Sequence, residues 1–454
     1  MSSSAGTGKT ITVSSIIALL DSHNIGYQVT SFTGNTSSAL NGRTIHSLWG
    51  LKYKSSDFEK LAVVPQASYI EKCNFRSVHF LIIEEIYLLS PVILYFISCR
   101  LKLIFNNSLD FGGLSIIAAG CNNQLYPVIG GPLFRSPNGL SACQQEGIRL
   151  YKTLDTVVIL KKNIRQKSDI PFQDLLNNLK LKQVTQTNVD LLNTRLYKNL
   201  PQSEQILFDS SIHLFPFNRQ VRECNYHKLW HSGIPILKVD RRQYPLKPLA
   251  EINDLYIGKG VRICLNSNLD LKNGLYRGLQ GTIESWVFDK GSVAVILCKF
   301  PSYQGKTVQG LVPIIRTADY FWDKSKKIKI KVHFFNIIPF YSCTVHISQG
   351  RTIERCAIDI GVNESFVGLS YTALSRAKSL STLCILNDSL NLDRFTNYSF
   401  MKGGTENLQE ILRLTILENN SRDISSSPAK RRNLSDDFVV STLSDTEACM
   451  NQED

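Results

Sequence analysis

A glycine-rich turn near the start of the chain has the residue types of a phosphate-binding loop. The stretch SSSAGTGKT is followed at once by a helical pattern. Gly6 and Gly8 let the backbone turn its N–H groups toward phosphate oxygens, and the helix N-terminus favours an anion. Lys9 would reach the β- and γ-phosphates, and Thr10 would offer its hydroxyl to Mg²⁺. The turn therefore predicts ATP and Mg²⁺ as cofactors, held by Ala5, Gly6, Thr7, Gly8, Lys9 and Thr10.

An acidic pair at the end of an apolar run supplies a second half for such a site. The run LIIEE ends in Glu84 and Glu85, about 75 residues after Lys9. A strand that ends there would place one carboxylate near Mg²⁺ and the next near the attacking water. We assign Glu84 to the metal and Glu85 to orienting and deprotonating the water. The alternative is a strand followed by a solvated acidic turn, which a preceding phosphate loop makes less favourable.

The elements that must position these residues follow an α/β pattern. Continuous apolar runs at residues 25–32, 79–85 and 114–120 are typical of buried parallel strands, and helical stretches separate them. A second group of strands is predicted at residues 211–217, 341–348, 355–361 and 381–387. Alternation of strands and helices predicts parallel sheets in two separate α/β units.

Other segments have sequence patterns that do not fit the alternation of strands and helices. Short β-like runs broken by glycine between residues 255 and 332 predict a small antiparallel β module inserted in the second unit. The Ser-, Asn- and Asp-rich stretch after Ile416 predicts disorder, and its basic run at 430–432 is either an import signal or solvated tail. The apolar run YLLSPVILYFISC is too short to span a bilayer and predicts a buried helix. No signal peptide precedes the first motif.

The net charge and the spacing of the cysteines indicate which partners and which cell compartment the protein is suited to. The 454 residues carry a formal net charge of +13, which suggests a nucleic-acid partner or a solvated basic face. The 11 cysteines contain no Cys-x-x-Cys pair, which indicates a reducing compartment and argues against disulfides or a zinc knuckle. His227 and His231 have a helical i, i+4 spacing, but no further ligand accompanies them, so metal binding there is disfavoured.

Seven motifs follow one another along the chain: SSAGTGKT, FTGNTSSALNGRTIHSLWG, LIIEEIYLLS, FGGLSIIAAGCNNQLYPV, LKKNIRQ, TVHISQGRT and GLSYTALSRAKSL. In this order they resemble the motif series of superfamily 1B helicases, with the greatest likeness to the Pif family and its relatives in Helitron-type elements and large DNA viruses. The resemblance runs from Ser3 to about Phe395. It implies an α/β fold with two RecA-like P-loop NTPase lobes and a small inserted β-barrel. The expected domains are lobe 1 at 1–165, lobe 2 at 166–254 and 333–416, the barrel at 255–332 and a disordered tail at 417–454.

The resemblance also implies roles at the nucleotide. Gln124 would sense the γ-phosphate from lobe 1, and Gly350 would lie beside the nucleotide. Arg165 and Arg376 would act as arginine fingers, because charge on the transferred phosphoryl group is stabilised only when both lobes close. The alternative for either arginine is a surface salt bridge worth about 0–1 kcal/mol.

For DNA, the resemblance places contacts on both lobes. Hydroxyls, amides and imidazoles suit hydrogen bonds to phosphate, which position a strand without reading its sequence. Trp49 would stack on a base or belong to the core. The turn GLYRG, from Gly274 to Gly278, resembles part of the family's inserted barrel and would close over the strand. The expected DNA contacts are Thr33, Gly34, Thr44, His46, Thr344, His346 and Gln349.

Four departures from the family pattern put activity in question. The chain begins inside the phosphate loop, where Ser3 stands at the motif's usual first glycine, and because of this start the strand leading into the loop is expected to be absent. Glu84 stands where the family has Asp, and Cys121 replaces a further Asp. Ile347 replaces a Lys on the DNA track.

These observations support two hypotheses. The first is an ATP-dependent DNA helicase that moves 5′→3′ on single-stranded DNA and acts in repair, recombination, replication or telomere maintenance. Its partners would be single-stranded DNA and DNA junctions, without a membrane, and it would be a monomer in the nucleus or mitochondrion. The second is a truncated nucleic-acid-binding remnant from a mobile or viral element, which hydrolyses ATP weakly or not at all.

Overall fold

The computed structural model describes residues 1–50, 58–62, 66–127, 129–239, 242–244, 255–323 and 328–426. The segment 427–454, with the basic run at 430–432, lies outside the described residues. Within the described residues, no helix is both long and apolar enough to cross a bilayer.

Lobe 1 is built on a parallel sheet with strand order β3-β2-β4-β5. The predicted strands at 25–32, 79–85 and 114–120 are confirmed as β2, β4 and β5. Helices flank the sheet, as the alternating pattern predicted. The elements of this lobe are β1 (Ser2–Ser3), α1 (Lys9–Ser22), β2 (Tyr27–Ser31), α2 (Gly34–Ala39), β3 (Arg43–Thr44), α3 (Ile45–Leu48), α4 (Phe58–Ala62), α5 (Tyr69–Asn74), β4 (Phe80–Glu84), α6 (Pro91–Ile104), β5 (Ser115–Ala119), α7 (Ala142–Lys152) and β6 (Ile159–Leu160).

The central strand β4 carries the acidic pair to the edge of the sheet where the phosphate loop lies. Leu81, Ile82 and Ile83 are fully buried because helices cover both faces of the sheet. In the strand register, Glu84 pairs with Ser31 of β2 and with Ala119 of β5. The predicted buried helix is confirmed as α6, which starts with a proline in its first turn and packs in the core of lobe 1.

The expectation that the strand leading into the phosphate loop is absent is wrong. Ser2 and Ser3 form β1, which pairs in parallel with Ile159 and Leu160 of β6. On its other side, Ser2 bridges Gly120 at the end of β5. This two-residue strand is held on both sides, because backbone groups of Met1 and Ser3 also form hydrogen bonds with β5 and with Gly120 at its end. The phosphate loop therefore starts from a strand with a fixed position.

Lobe 2 begins with four helices and one strand. Its first half comprises α8 (Ile170–Leu181), α9 (Gln186–Asn193), α10 (Gln202–Asp209), β7 (Ile212–Phe215) and α11 (Asn218–Trp230). The chain then enters the inserted β module and returns for the remaining strands.

The β module is an antiparallel sheet with strand order β16-β11-β12-β13-β14-β15-β9, and β8 pairs separately with β10. β9 and β16 extend this sheet beyond the predicted span of 255–332. Closure of the sheet into a barrel stays a prediction. Its strands are β8 (Leu237–Val239), β9 (Arg242–Tyr244), β10 (Leu255–Ile257), β11 (Arg262–Leu265), β12 (Gln280–Asp289), β13 (Ser292–Lys299), β14 (Val312–Asp323), β15 (Ile328–Phe335) and β16 (Ile337–Pro339).

The second half of lobe 2 completes a parallel sheet with order β17-β7-β18-β19. All four late strand predictions are confirmed, although residues 345–348 form a helical turn instead of continuing β17. Its elements are β17 (Ser342–Thr344), α12 (Val345–Ser348), β18 (Cys356–Ile358), α13 (Leu369–Leu374), β19 (Leu383–Ile385), α14 (Asp393–Thr396), α15 (Tyr398–Met401) and α16 (Gly404–Ser426). Short 3₁₀ turns lie at Ile86–Leu88, Asp110–Gly113, Tyr197–Asn199, Leu271–Asn273 and Leu380–Thr382.

The predicted start of the disordered tail at residue 417 is wrong. The last helix, α16, continues to Ser426 and docks on lobe 1. Glu418 is buried and accepts a hydrogen bond from the backbone N–H of Ile159, and Ser421 accepts one from Val157. Polar composition misled the prediction because these polar side chains are themselves the docking contacts.

Candidate functional site: a nucleotide cleft between two lobes

The phosphate loop turns tightly between β1 and α1. Gly8 precedes α1 at φ 91° and Gly6 lies at φ 79°, a region that side chains other than glycine rarely adopt. A Cβ on Gly6 would lie 2.7 Å from the Cβ of Arg165. The Gly6 carbonyl accepts hydrogen bonds from the N–H groups of Ile164 and Arg165 at 2.8 and 3.0 Å. The loop is therefore fastened to the segment that carries the first predicted arginine finger.

Within the loop, the side chain of Ser3, which stands in place of the usual glycine, accepts hydrogen bonds from loop residues. Its buried hydroxyl accepts a hydrogen bond from Thr7 Oγ1 at 2.7 Å and one from Lys9 Nζ at 3.3 Å. Lys9 also donates to the carbonyl of Ser4 at 2.9 Å. The ammonium of Lys9 thus lies over the loop, and the substitution at Ser3 preserves the loop conformation by supplying an acceptor.

The two predicted metal-binding groups are in direct contact. Thr10 Oγ1 donates to Glu84 Oε1 at 3.0 Å, and Glu84 Oε2 accepts from the backbone N–H of Glu85 at 3.0 Å. A hydroxyl and a carboxylate are the hard oxygen ligands that Mg²⁺ prefers. The longer glutamate side chain still reaches Thr10, so these donors are compatible with the predicted Mg²⁺ site.

Glu85 is held in an unusual environment. It lies at φ 54° immediately after β4 and is only 7% exposed. Burial and the neighbouring Glu84 raise the pKa of its carboxyl group, whereas the positive charges of Lys9, Arg376 and Arg165 oppose that rise. Cations of the phosphate loop, of the end of lobe 1 and of lobe 2 therefore all favour the ionised form of this carboxyl group.

The two predicted arginine fingers are adjacent across the lobe interface. Arg165 Nη1 donates to the carbonyl of Ser375 at 2.7 Å, next to Arg376 in the chain. Burial and the charge of Arg376 lower the pKa of Arg165 to about 9. Arg376 is 1% exposed, and its guanidinium donates to the carbonyls of Thr372 and Arg351. Burial likewise lowers the pKa of Arg376, whereas Glu85 opposes that change.

The predicted γ-phosphate sensor meets lobe 2 directly. Gln349 Nε2 donates to Gln124 Oε1 at 3.1 Å, and both side chains are buried. A Cβ on Gly350 would lie 3.0 Å from Thr36 Oγ1 and 3.8 Å from Glu85 Oε1. Gln349 is also a predicted DNA contact, and in the structure its amide bonds to the predicted sensor where the two lobes meet.

Residues that the sequence analysis did not single out also join the lobes. Tyr371 Oη accepts a hydrogen bond from the N–H of Ala5 in the phosphate loop at 2.9 Å. Thr372 Oγ1 accepts from the N–H of Leu125 at 3.0 Å, one residue after the sensor. Tyr371 and Thr372 belong to the same GLSYTALSR motif as Arg376, so the motif itself was the signal that could have found them.

A closed ring of three amides anchors the sensor segment to α16. Asn122 donates to Asn407 at 2.9 Å, Asn407 donates to Asn123 at 2.7 Å, and Asn123 donates back to Asn122 at 3.0 Å. All three side chains are buried. A ring in which each amide is both donor and acceptor strengthens every member. No sequence signal marks Asn407, because it lies far along the chain from its partners.

We expect the substitution Asn407→Ala to lower the free energy of unfolding by about 2–4 kcal/mol, because it leaves a buried donor on Asn122 and a buried acceptor on Asn123 without partners. Urea unfolding followed by circular dichroism measures the loss. Asn419→Ala on the exposed face of the same helix is the matched control, since both changes alter helix propensity equally. Equal stability of the two variants would contradict the role of the ring.

Three of the predicted DNA-contacting hydroxyls cap short helices. The side chains of Thr33, Thr44 and Thr344 accept hydrogen bonds from backbone N–H groups at the starts of α2, α3 and α12. Capping fixes the backbone conformation at the start of each helix. Thr44 and Thr344 are buried, so their first role is to shape the two corresponding turns.

The two predicted DNA-contacting histidines have matching surroundings. His46 packs edge-on against Phe32 at 5.8 Å between ring centroids, and His346 packs edge-on against Phe366 at 4.8 Å. Both are partly exposed, and burial lowers the pKa of each imidazole. Each is therefore neutral near pH 7 and offers a hydrogen bond rather than a charge.

The turn of the β module lies over lobe 1. Tyr276 Oη donates to Asn35 Oδ1 at 3.3 Å, and a Cβ on Gly34 would lie 3.3 Å from Tyr276 Cβ. On the other side, Arg351 Nη2 of lobe 2 donates to the carbonyl of Gly278 at 2.7 Å. The turn thus bridges the predicted DNA-contacting segments of both lobes.

Burial decides between the two interpretations of Trp49. Trp49 is 5% exposed and packs against Phe75 and Phe96, so the base-stacking interpretation is wrong and the core interpretation is confirmed.

Of the residues that depart from the family pattern, Cys121 is buried in an apolar cluster and Ile347 is 37% exposed. His227 and His231 stack on each other, and no group of three metal-ligating side chains occurs in the described parts of the chain.

A phosphate loop, an acidic pair and arginines supplied from two parallel-sheet lobes define the class of two-lobed P-loop NTPases. The PIF1-like helicase profile matches residues 1–189. The ATP-dependent DNA helicase Pif1 of Psychrobacter sp. is 25% identical over 87% of this chain, which spans 66% of that relative's length. Over these residues the chain is similar to PIF1-like helicases.

Two solved structures share the fold. The crystal structure of the Pif1 helicase from Candida albicans aligns with a TM-score of 0.70 and 24% identity, covering 90% of this chain and 94% of that one. The Bacteroides Pif1 helicase in complex with ADP-AlF3 and single-stranded DNA aligns with a TM-score of 0.64 and 23% identity, covering 87% and 89%. These alignments identify the two α/β units as RecA-like lobes.

Proposed function

We propose that the chain is an ATP-dependent DNA helicase that couples ATP hydrolysis to 5′→3′ movement along single-stranded DNA. The link between the phosphate loop and both arginines carries this proposal: the Gly6 carbonyl accepts from the N–H of Arg165, and Arg165 donates to Ser375 beside Arg376. A pocket completed only by both lobes links the chemistry to their relative motion.

Each group in the cleft has a role in this proposal. Lys9 and the loop N–H groups bind the phosphates, and Glu85 orients and deprotonates the attacking water. Thr10 and Glu84 would hold Mg²⁺, which would neutralise charge on the phosphate oxygens when bound. Gln124 and Gln349 report the γ-phosphate to both lobes, because their amides already bond to each other. Arg165 and Arg376 stabilise the charge that develops on the transferred phosphoryl group.

The DNA would lie across the capped turns of both lobes and beneath the turn of the β module. We propose as its contacts, through side chains and the turns they shape, Thr33, Gly34, Thr44, His46, Thr344, His346 and Gln349. Neutral imidazoles and backbone groups suit contacts to phosphate that do not read bases. Ile347 cannot supply a cation there, so we expect a shallower dependence of binding on salt than a lysine at that position would give.

We further propose that the protein acts on single-stranded DNA and DNA junctions as a nuclear monomer. Repair, recombination, replication and telomere maintenance all generate such DNA. These assignments rest on the similarity of residues 1–189 to PIF1-like helicases and on the net positive charge.

Strand displacement tests the proposed function. We expect the full chain with ATP and Mg²⁺ to unwind a duplex with a 5′ single-stranded tail and to leave a 3′-tailed duplex paired. Lys9→Ala should abolish the reaction, because the loop then lacks its phosphate-binding cation. Unwinding of the 3′-tailed substrate alone would contradict the polarity.

Absence of both unwinding and DNA-stimulated ATP hydrolysis, with DNA binding retained, would favour the remnant hypothesis.

A further inference from the structure

A cavity of about 500 Å³ lies between lobe 2 and the β module, apart from the nucleotide cleft. Ser211 and Arg355 line it from lobe 2, and Arg262 and Gln280 line it from the β module. Its volume falls in the range of sites for small molecules and cofactors, about 300–1,000 Å³. The cavity is therefore large enough to accept one nucleotide unit.

The cavity is at the opposite edge of the lobe 2 sheet from the proposed DNA contacts. Ile212, which lines it, is the first residue of β7, and Arg355 immediately precedes β18. Thr344, by contrast, is the last residue of β17, which runs parallel to β7. In a parallel sheet, the amino ends of the strands face away from the carboxyl ends. The cavity thus lies at the other edge of the sheet from the proposed DNA contacts, and Arg351 is the lining residue that also bonds to Arg376 and to Gly278.

Arginines dominate the charge of the cavity. Arg262, Arg351 and Arg355 line it, together with one carboxylate, Glu354. The Glu354 side chain is 93% exposed and lies 3.9 Å from Lys378, so it offsets little of the positive charge inside. Three guanidinium groups present planar sets of N–H donors that match the oxygens of a phosphate group.

The arginines are already held in place. Arg262 Nη1 donates to the carbonyl of Ser210 at 2.8 Å, and its guanidinium lies 5.9 Å from the Tyr341 ring. The guanidinium of Arg355 lies 5.8 Å from the ring of Phe208. Contact with an aromatic ring limits the conformations of an arginine, so less entropy is lost when it binds an anion.

One arginine donor in the cavity has no acceptor. Arg351 Nε is buried without a hydrogen-bond partner in the described part of the chain, although Nη2 of the same group donates to Gly278. Buried polar groups are nearly always paired, so an isolated donor points to an acceptor that binds from outside. Leu207, Phe340 and Ile353 add apolar surface against which a sugar or base can pack.

We propose that this cavity binds the phosphate group of a nucleotide unit, as a site separate from the ATP cleft. The unit comes either from a free nucleotide or from a nucleic-acid backbone, since both present the same phosphate chemistry to the arginines. An occupied cavity would also join the β module to lobe 2, because Arg262 and Arg355 approach it from different domains.

Arginine-selective labelling of the full chain with phenylglyoxal, read by mass spectrometry, tests the proposal. The probes are inorganic phosphate, deoxycytidine monophosphate and a single-stranded oligonucleotide. Arg76, exposed just before β4 of lobe 1, is the internal control. We expect deoxycytidine monophosphate or the oligonucleotide to slow labelling of Arg262 and Arg355 at least tenfold, with labelling of Arg76 unchanged.

The three probes distinguish a free nucleotide from a nucleic-acid backbone as the source of the phosphate group. Protection by the oligonucleotide alone assigns the site to a nucleic-acid backbone, and protection by the mononucleotide assigns it to a free nucleotide. Labelling of Arg262 and Arg355 at the unprotected rate with all three probes would overturn the proposal, as would protection by inorganic phosphate alone.

A pair of variants checks the same site without chemical labelling. The double substitution Arg262→Ala and Arg355→Ala should weaken binding of the probe that protects these residues at least tenfold. Arg76→Ala should leave that binding unchanged, and thermal unfolding of each variant shows whether it is folded. Unchanged binding by a folded double variant contradicts the assignment.

Discussion

Replacing Glu85 with glutamine should lower the rate of DNA-stimulated ATP hydrolysis by about 10²–10⁴-fold, the usual contribution of a general base. Glutamine keeps the size and the hydrogen-bonding capacity of the side chain but cannot accept a proton from water. Nucleotide affinity should change little, because the phosphate-binding loop and Lys9 are untouched. Steady-state phosphate release and equilibrium nucleotide binding measure the two quantities separately.

Glu146→Gln is the matched control for this change. Glu146 lies on the surface in a salt bridge with Arg149, far from the cleft in the fold of lobe 1, so its loss should leave turnover unaltered. A Glu85→Gln protein that keeps more than about a tenth of the normal rate would exclude the general-base role, since even the weakest such catalysis exceeds that factor.

Replacing Arg376 with lysine should lower the rate of ATP hydrolysis by about 10³-fold or more, the range found for arginine fingers. The planar guanidinium of Arg376 donates to Thr372, Arg351 and Ser375 within lobe 2 while it faces Glu85 across the interface. A lysine keeps one charge but cannot reproduce this set of donors. Single-turnover hydrolysis with prebound ATP measures the chemical step directly.

The effect of Arg376→Lys on protein stability must be distinguished from its effect on the hydrolysis step. Arg394→Lys is the control, because Arg394 is equally buried in lobe 2 and pairs with Glu364 at 3.1 Å away from the cleft. We expect Arg394→Lys to destabilise the protein in urea but to retain turnover per folded molecule. Equal loss of turnover in both folded variants would mean that Arg376 acts through the packing of lobe 2 alone.

The chemistry of the nucleotide cleft was legible in the sequence because it depends on local spacing. Gly6, Gly8 and Lys9 lie within one turn, and Glu84 and Glu85 end a strand whose apolar residues mark it as buried. The structure brings Thr10 within 3.0 Å of Glu84, as the two motifs together predicted. The strands of both lobes were predictable for the same reason, since burial on both faces leaves continuous apolar runs.

Contacts between distant segments were not predictable. The amide ring joins Asn122 and Asn123 to Asn407, and the sensor Gln124 meets Gln349 across the lobe interface. A single asparagine or glutamine has no distinctive sequence pattern, because its role depends on partners that only the fold brings near. The same cause explains why the contact between Gln349 and Gln124 was not foreseen and why Trp49 was open to two interpretations.

The errors at the two ends of the described chain share a physical origin. The strand leading into the phosphate loop was expected to be absent, yet Ser2 and Ser3 pair with neighbours on both sides. The polar stretch after Ile416 was expected to be disordered, yet Glu418 and Ser421 bond to the backbone of lobe 1. Composition averages over side chains, whereas specific hydrogen bonds order a segment one residue at a time.

By itself, the sequence determined the class of this protein: a nucleotide-binding loop, a carboxylate pair and arginines in the order of a two-lobed motor. Only the tertiary structure decided how these parts meet. It brought Arg165 and Arg376 together at Ser375 and fastened α16 to the sensor segment. It also opened an arginine-lined cavity at the amino ends of the lobe 2 strands. Local motifs specify chemistry through spacing along the chain, whereas the interface between lobes depends on packing of segments that are hundreds of residues apart.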